Sequence, residues 1–129
     1  MTFFKNLFGG ASSEAHHKNG FPWNGITDEA VLEEIDELSL EQPILIFKHS
    51  TGCFVSKTVL RQFEAAFPPG QIPCYYLDLL RYRQLSNAIA ARYAIEHQSP
   101  QLLLIKNKTC IYNASHSAID ADTVQGKLD

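Results

Sequence analysis

The stretch that decides the fold is ILIFKHSTGCFVS, residues 44–56. It opens with four consecutive apolar residues at 44–47, a pattern typical of a strand buried on both faces of a parallel sheet. Residues 48–52 predict a turn. After Cys53, apolar residues recur at helical spacing, at Val55, Val59, Phe63 and Phe67. The sequence therefore predicts a central strand, a short turn and a helix that begins at Cys53 and ends before Pro68.

Helices and strands alternate on either side of this stretch. Before it, Thr27 is predicted to cap a helix whose apolar face consists of Val31, Leu32, Ile35 and Leu38. After it, the patterns predict strands at 74–79, 102–105 and 109–112, a helix capped by Ser86, and a last helix from about Asp120. The strand–helix–strand order makes the first two strands parallel, and a tight turn makes the last two antiparallel. The predicted fold class is α/β, with a mixed four-stranded sheet and helices on both faces.

Composition limits the class of protein. A chain of 129 residues suffices for one domain, and 11 Lys plus Arg against 14 Asp plus Glu lacks the basic excess typical of nucleic-acid or membrane binding. No apolar run approaches the roughly 20 residues that span a bilayer. We expect a cytoplasmic protein with no nucleic-acid or membrane partner, built as a flexible N-terminal arm at residues 1–20 and one domain at residues 21–129.

The chain has three cysteines, Cys53, Cys74 and Cys110. Their odd number and wide spacing fit neither a disulfide framework nor a pair of zinc ligands, so no metal site is predicted and a reducing compartment fits them best. Cys74 and Cys110 lie within apolar strand patterns, where a free cysteine usually behaves as a small buried hydrophobe. At Cys53, unpaired backbone N–H groups and the positive end of a helix dipole favour the thiolate. Cys53 is therefore the candidate nucleophile.

Two further motifs bear on the reactivity of Cys53. Ser56 stands three residues later, where a dithiol enzyme has its second cysteine, so a mixed disulfide at Cys53 must be resolved by an external thiol. Ser99-Pro100 stands at the entry to a strand, and an X-Pro bond can be cis. A cis bond would place the backbone of residue 99 beside Cys53, where it could pair with an extended substrate. The alternative is that Pro100 only ends a helix.

Polar side chains around the predicted turn complete the candidate site. Lys48 and His49 would add positive potential near the thiolate, unless they are simply solvated at the end of a strand. His116, just past the predicted hairpin, could be a second contributor, although it is expected to cap a turn or face water. The other supporting residues are in the turn and at the start of the helix: Thr51, Gly52, Phe54 and Ser56.

Several short blocks together resemble one protein family. They are Trp23-Asn24, Phe47-Lys48-His49-Ser50-Thr51 leading to Cys53 and Ser56, Tyr75-Tyr76-Leu77-Asp78, Ser86-Asn87-Ala88-Ile89, Ser99-Pro100-Gln101 and Ala114-Ser115-His116. The combination resembles the monothiol bacilliredoxins, which are thioredoxin-like proteins of the bacillithiol system and the general stress response. The resemblance extends over roughly residues 21–128.

The resemblance implies a thioredoxin-like fold and a substrate class. The cysteine matching Cys53 would attack a bacillithiol mixed disulfide on an S-thiolated client protein and take the bacillithiol onto itself, and a free low-molecular-weight thiol would regenerate it. Bacillithiol would be a co-substrate, with no resident cofactor, and Pro100 would be the cis-proline equivalent. The family usually has proline directly after the cysteine, whereas this chain has Phe54, which leaves a backbone N–H and adds apolar bulk beside the sulfur.

Two other functions remain open from the sequence. The protein could be a redox sensor or adaptor that holds a partner at the cis-proline edge without turnover. It could also bind an iron–sulfur cluster between two protomers, as monothiol glutaredoxins with a CxxS site do, although Phe54-Val55 does not match the Gly-Phe of those proteins.

Overall fold

The predicted central strand lies in the middle of a mixed sheet. The computed structural model describes residues 20–128, so the predicted arm at residues 1–20 lies outside the described residues except for Gly20. The strands are β1 (Trp23–Gly25), β2 (Ile44–His49), β3 (Cys74–Asp78), β4 (Gln101–Lys106) and β5 (Thr109–Ser115). The helices are α1 (Glu29–Leu38), α2 (Phe54–Ala66), α3 (Arg83–Tyr93) and α4 (Ala121–Lys127), with a 3₁₀ turn at His116–Ala118.

The sheet has five strands in the order β1-β3-β2-β4-β5, so the prediction of four was wrong by one strand. β3 is parallel to both β1 and β2, whereas β4 is antiparallel to β2 and to β5. The missed strand is β1, which has three residues, two of them Asn24 and Gly25. Such residues have low strand propensity. β1 is an outer strand that forms only because it pairs with β3, and no local sequence pattern reveals that pairing.

Helices cover both faces of the sheet, as predicted. On one face, α2 and α4 pack on a cluster that includes Leu45, Phe47, Phe63 and Val124. On the other face, α1 and α3 pack on a second cluster that includes Leu32, Ile35, Ile46 and Ile89. Because successive residues of a strand point to opposite faces, β2 contributes to both clusters, and all six of its residues are buried.

Two predicted helix starts differ from the structure. Asp28, rather than Thr27, caps α1, since its carboxylate accepts a hydrogen bond of 2.9 Å from the backbone N–H of Ala30. α3 begins at Arg83, and the predicted cap, Ser86, is buried inside the helix with its N–H donating to the carbonyl of Tyr82. The hydroxyl of Ser86 does not cap the helix but lies 3.1 Å from Nδ1 of His97.

The topology brings the ends of four strands together at one edge of the sheet, the edge formed by the carboxyl ends of the parallel strands. The parallel strands β1, β2 and β3 all end there, and the antiparallel strand β4 starts there. The β2–α2 turn and the residues that lead into β4 therefore meet at this edge. These are the two segments that carry Cys53 and Pro100.

Candidate active site

Cys53 stands at the N-cap position of α2, a helix of 13 residues. Its backbone is extended (φ −108°, ψ 125°), and its side chain makes no capping hydrogen bond. Its carbonyl accepts from the N–H of Lys57 at 3.0 Å, which starts the helix, and its own N–H donates to the carbonyl of Ser50 at 3.1 Å. The side chain is half-buried. Cys53 is thus a half-buried residue at the positive end of a helix.

Ser56 occupies the position where a dithiol site would have its second sulfur. Its hydroxyl is fully buried and accepts a hydrogen bond of 3.0 Å from the backbone N–H of Ser50. The same hydroxyl lies 2.7 Å from Nδ1 of His49. Ser56 therefore ties the β2–α2 turn to the first turn of α2. No sulfur is available at this position to displace a group bound to Cys53.

Lys48 and His49 are buried, so the expectation that they belong to a turn and could be solvated was wrong. Both lie in β2, with exposed fractions of 0% and 4%. They point to opposite faces of the sheet: His49 points toward α2, where it contacts Ser56, and Lys48 points toward α3. β2 extends two residues beyond its apolar run because it pairs with β4 through Lys48 and with β3 through His49.

Among residues 20–128, the ammonium group of Lys48 contacts a main-chain oxygen and an imidazole and no carboxylate. Nζ donates to the main-chain oxygen of Ser86 at 3.2 Å and lies 3.3 Å from Nδ1 of His97. His97 Nδ1 is also 3.1 Å from the hydroxyl of Ser86. Burial lowers the pKa of Lys48 to about 8, because a charged group loses its hydration there. The role of His97 was missed, since nothing in the sequence connects it with a lysine 49 residues away.

Pro100 lies at the same edge of the sheet. The Ser99–Pro100 peptide bond is cis, Pro100 is buried, and its carbonyl accepts a hydrogen bond of 3.0 Å from the N–H of His116. The following residue, Gln101, is the register partner of Lys48 across β2 and β4. Residue 99 therefore comes just before the strand next to β2. His116 itself is exposed and begins the 3₁₀ turn after β5.

The surface beside Cys53 is apolar. The side chain of Phe54 is 77% exposed, and Val55 and Leu80 are also exposed. Leu80 belongs to the β3–α3 connection and lies beside Gly52, where an added Cβ would be 3.6 Å from its Cδ1. Thr51, in the same turn, is half-buried. The β2–α2 turn and the β3–α3 connection thus present apolar surface together.

The other two cysteines are placed away from Cys53. Cys74 is the first residue of β3, and Cys110 lies in β5 beside the end of β4, so both are at the opposite edge of the sheet. Burial raises the pKa of Cys74 to about 12, and it also raises the pKa of Cys110. The Cys110 thiol donates to the carbonyl of Tyr112 at 3.2 Å. Neither thiol is positioned to resolve a disulfide at Cys53.

Within residues 20–128, no group of three or more His, Cys, Asp or Glu side chains is arranged to hold a metal ion. Among the same residues, no helix has the length and apolar character needed to cross a bilayer.

Phe54→Pro is expected to stabilise the fold by about 0.5–1 kcal/mol. Phe54 is the first residue of α2, where proline suits the helix, and the extended backbone of the preceding Cys53 is compatible with a following proline. The free energy of unfolding can be measured by urea denaturation with the fluorescence of Trp23, the single tryptophan. Val55→Pro is the matched control and should destabilise, because it forces the helical Phe54 out of the α region. Equal effects of the two prolines would contradict this interpretation.

The fold and the cysteine at the start of α2 define a thioredoxin-fold thiol protein. A solved protein described as having a thioredoxin fold is 24% identical, with a TM-score of 0.72 over 81% of this chain and 92% of that chain. Thioredoxin from Malassezia sympodialis is 17% identical (TM-score 0.62, 81% and 85% covered), and thioredoxin from Schistosoma mansoni is 13% identical (TM-score 0.60, 81% and 90% covered). These similarities establish the fold.

The family is more specific than the fold. Residues 24–124 match the family model of the monothiol bacilliredoxins. The chain belongs to this family, as the resemblance of its motifs predicted, and this membership supports a redox function.

Proposed function

We propose that this protein removes bacillithiol, or a similar low-molecular-weight thiol, from protein mixed disulfides through Cys53. The observation that carries the proposal is the arrangement at the start of α2. A partly exposed cysteine stands at the N-cap, and the position one turn later is filled by a hydroxyl that is already hydrogen-bonded. Such a site can accept a thiol group but cannot release it by forming an internal disulfide.

The proposed reaction consists of two successive thiol–disulfide exchanges. The Cys53 thiolate attacks the bacillithiol sulfur of the mixed disulfide; a Cys53–bacillithiol S–S bond forms, the client–bacillithiol S–S bond breaks, and the client leaves as a thiolate that takes a proton from water. A second small thiolate then attacks the bacillithiol sulfur of the adduct, which regenerates the Cys53 thiolate. One S–S bond thus passes from the client to a disulfide between two small thiols.

The surroundings of Cys53 support a protein substrate. The backbone of Ser99, next to the cis bond and just before β4, is where an extended client segment would pair. The exposed side chains of Phe54 and Leu80 provide apolar contact for that segment. The partners in this proposal are S-thiolated client proteins and a small thiol, in the reducing cytoplasm, with no resident cofactor.

The test is transfer of bacillithiol from a modified client, followed by intact-mass spectrometry of both proteins. Wild type should restore the mass of the unmodified client and gain one bacillithiol at Cys53. Cys53→Ser should do neither, whereas Cys110→Ser, the matched control, should behave as wild type. Transfer by Cys53→Ser would contradict the proposal. Capture of the client by Cys53→Ser, with no transfer by any variant, would support the adaptor function.

A further inference from the structure

A fully buried lysine lies beside the candidate site with no carboxylate to pair with it. Within residues 20–128, the carboxylate ion pairs to lysine or arginine are those of Arg92 with Glu33 and Asp36, so none involves Lys48. Burying an ammonium group without a counterion costs stability, and an apolar side chain of similar size avoids that cost. A residue of this kind is best explained by a role in function.

The contacts of Lys48 join three parts of the chain. From β2, its Nζ reaches the main-chain oxygen of Ser86 in α3 and Nδ1 of His97, which lies between α3 and β4. Burial and the positive charges of Lys48 and Arg83 lower the pKa of His97. A lowered pKa favours the neutral imidazole, which can present Nδ1 as an acceptor to the ammonium group. We call Lys48, Ser86 and His97 the lysine cluster.

The lysine cluster holds the segment that leads to the cis bond. α3 ends at Tyr93, the next residue, Ala94, has a left-handed conformation, and residues 95–98 form no helix or strand before Pro100. The side chain of Gln101 donates to the carbonyl of Glu96 at 3.0 Å. His97 is the residue of this segment that contacts Lys48 and Ser86. The buried hydroxyl of Ser99 has no partner among the described residues.

We propose that Lys48 is a positioning residue that acts through His97: by holding His97 against α3, it fixes residues 97–99 in the conformation that receives the disulfide substrate. This inference rests on the proposed function. Lys48 points toward α3, whereas Cys53 begins a helix on the opposite face of the sheet. The role assigned to Lys48 is therefore in binding the client and not in activating the sulfur.

The first test separates binding from activation. Lys48→Met and His97→Leu should raise KM for the mixed-disulfide client about tenfold, the effect of one hydrogen bond to a charged group, with kcat within about twofold of wild type. His97→Asn, which keeps an acceptor near the position of Nδ1, should restore KM to within about threefold. The rate at which iodoacetamide alkylates Cys53 should be unchanged in all three. Slower alkylation with an unchanged KM would overturn the proposal.

The second test does not depend on the proposed function. Amide hydrogen exchange at Ile95 and His116, whose N–H groups donate to Ala90 and Pro100 on either side of this segment, should be about tenfold faster in Lys48→Met than in wild type, with the rest of the sheet unchanged. Lys108→Met is the matched control, because it removes one positive charge from an exposed turn at the far edge of the sheet. Its exchange and KM should match wild type. Unchanged exchange in Lys48→Met would overturn the positioning role, and absence of turnover by wild type would overturn only the proposed function.

Discussion

Ser56→Cys is expected to turn a stable adduct at Cys53 into a short-lived one. After treatment with oxidised bacillithiol and removal of free thiols, wild type should carry one bacillithiol at Cys53. Fewer than about a tenth of the Ser56→Cys molecules should carry it, because a thiol held in the same helical turn attacks far faster than a thiol from solution. Intact-mass spectrometry distinguishes the adduct from an internal disulfide between Cys53 and the introduced thiol.

The structure gives the reason for this expectation. Residues three apart at a helix start are neighbours, within the separation that a disulfide requires. In the variant, the introduced thiolate attacks the Cys53 sulfur, an S–S bond forms between the two side chains, and bacillithiol leaves as a thiol. The change should also cost about 1–3 kcal/mol, since the backbone N–H of Ser50 loses the hydroxyl that accepts its hydrogen bond.

Val55→Cys is the control for Ser56→Cys. It adds a thiol in the same turn at an exposed position, but two residues along a helix from Cys53 it faces another direction. This variant should keep the adduct at Cys53. If Val55→Cys cleared the adduct as fast, the attack would be between molecules. If Ser56→Cys kept the adduct in full, residues 53 and 56 would not face each other.

Lys48→Met is expected to raise the free energy of unfolding at pH 7 by about 2 kcal/mol. The variant fills the same space in β2 without burying a charge, and no carboxylate among residues 20–128 pairs with Lys48 in the wild type. Urea denaturation followed by Trp23 fluorescence measures the change, since Trp23 is 1% exposed in the folded protein. Lys108→Met, an exposed site, should change it by less than about 0.5 kcal/mol. A loss of stability in Lys48→Met would mean that the contacts with Ser86 and His97 outweigh the cost of burying the charge.

The same pair of proteins gives a pH dependence with a definite sign. The pKa of Lys48 is lowered from 10.5 to about 8 by burial, so between these values the unfolded chain binds more protons. Stability contributed by this group therefore rises with pH across that window. Wild type should approach Lys48→Met in stability as pH rises from about 8 to about 10.5. Raised pKa values of buried tyrosines affect both proteins, so the difference between the two curves isolates Lys48.

The central part of the fold was predictable because its signals are local. Four apolar residues, a turn and a helical apolar face follow one another in residues 44–67, and this order alone places Cys53 at a helix start. The hairpin was equally local, since Asn107 and Lys108 form its turn with positive φ values. The motifs that resemble the bacilliredoxins then supplied the family.

The features that were missed depend on contacts between distant residues. β1 exists because Trp23 pairs with Cys74 at the sheet edge and its indole N–H donates to Glu64 at 2.7 Å. The burial of Lys48 depends on Ser86 and His97, which come from two other parts of the chain. A charged residue after an apolar run normally indicates the end of a strand, and only the three-dimensional arrangement shows that Lys48 continues it.

The lack of a second thiol near Cys53 affects how the protein survives oxidants. If peroxide converts this sulfur to a sulfenic acid, no neighbouring cysteine among the described residues can condense with it, because Cys74 and Cys110 lie at the far edge of the sheet. A small thiol from solution must react with the sulfenic acid before further oxidation yields the irreversible sulfinic form. The lifetime of the active protein in an oxidant burst is therefore set by the cellular supply of small thiols.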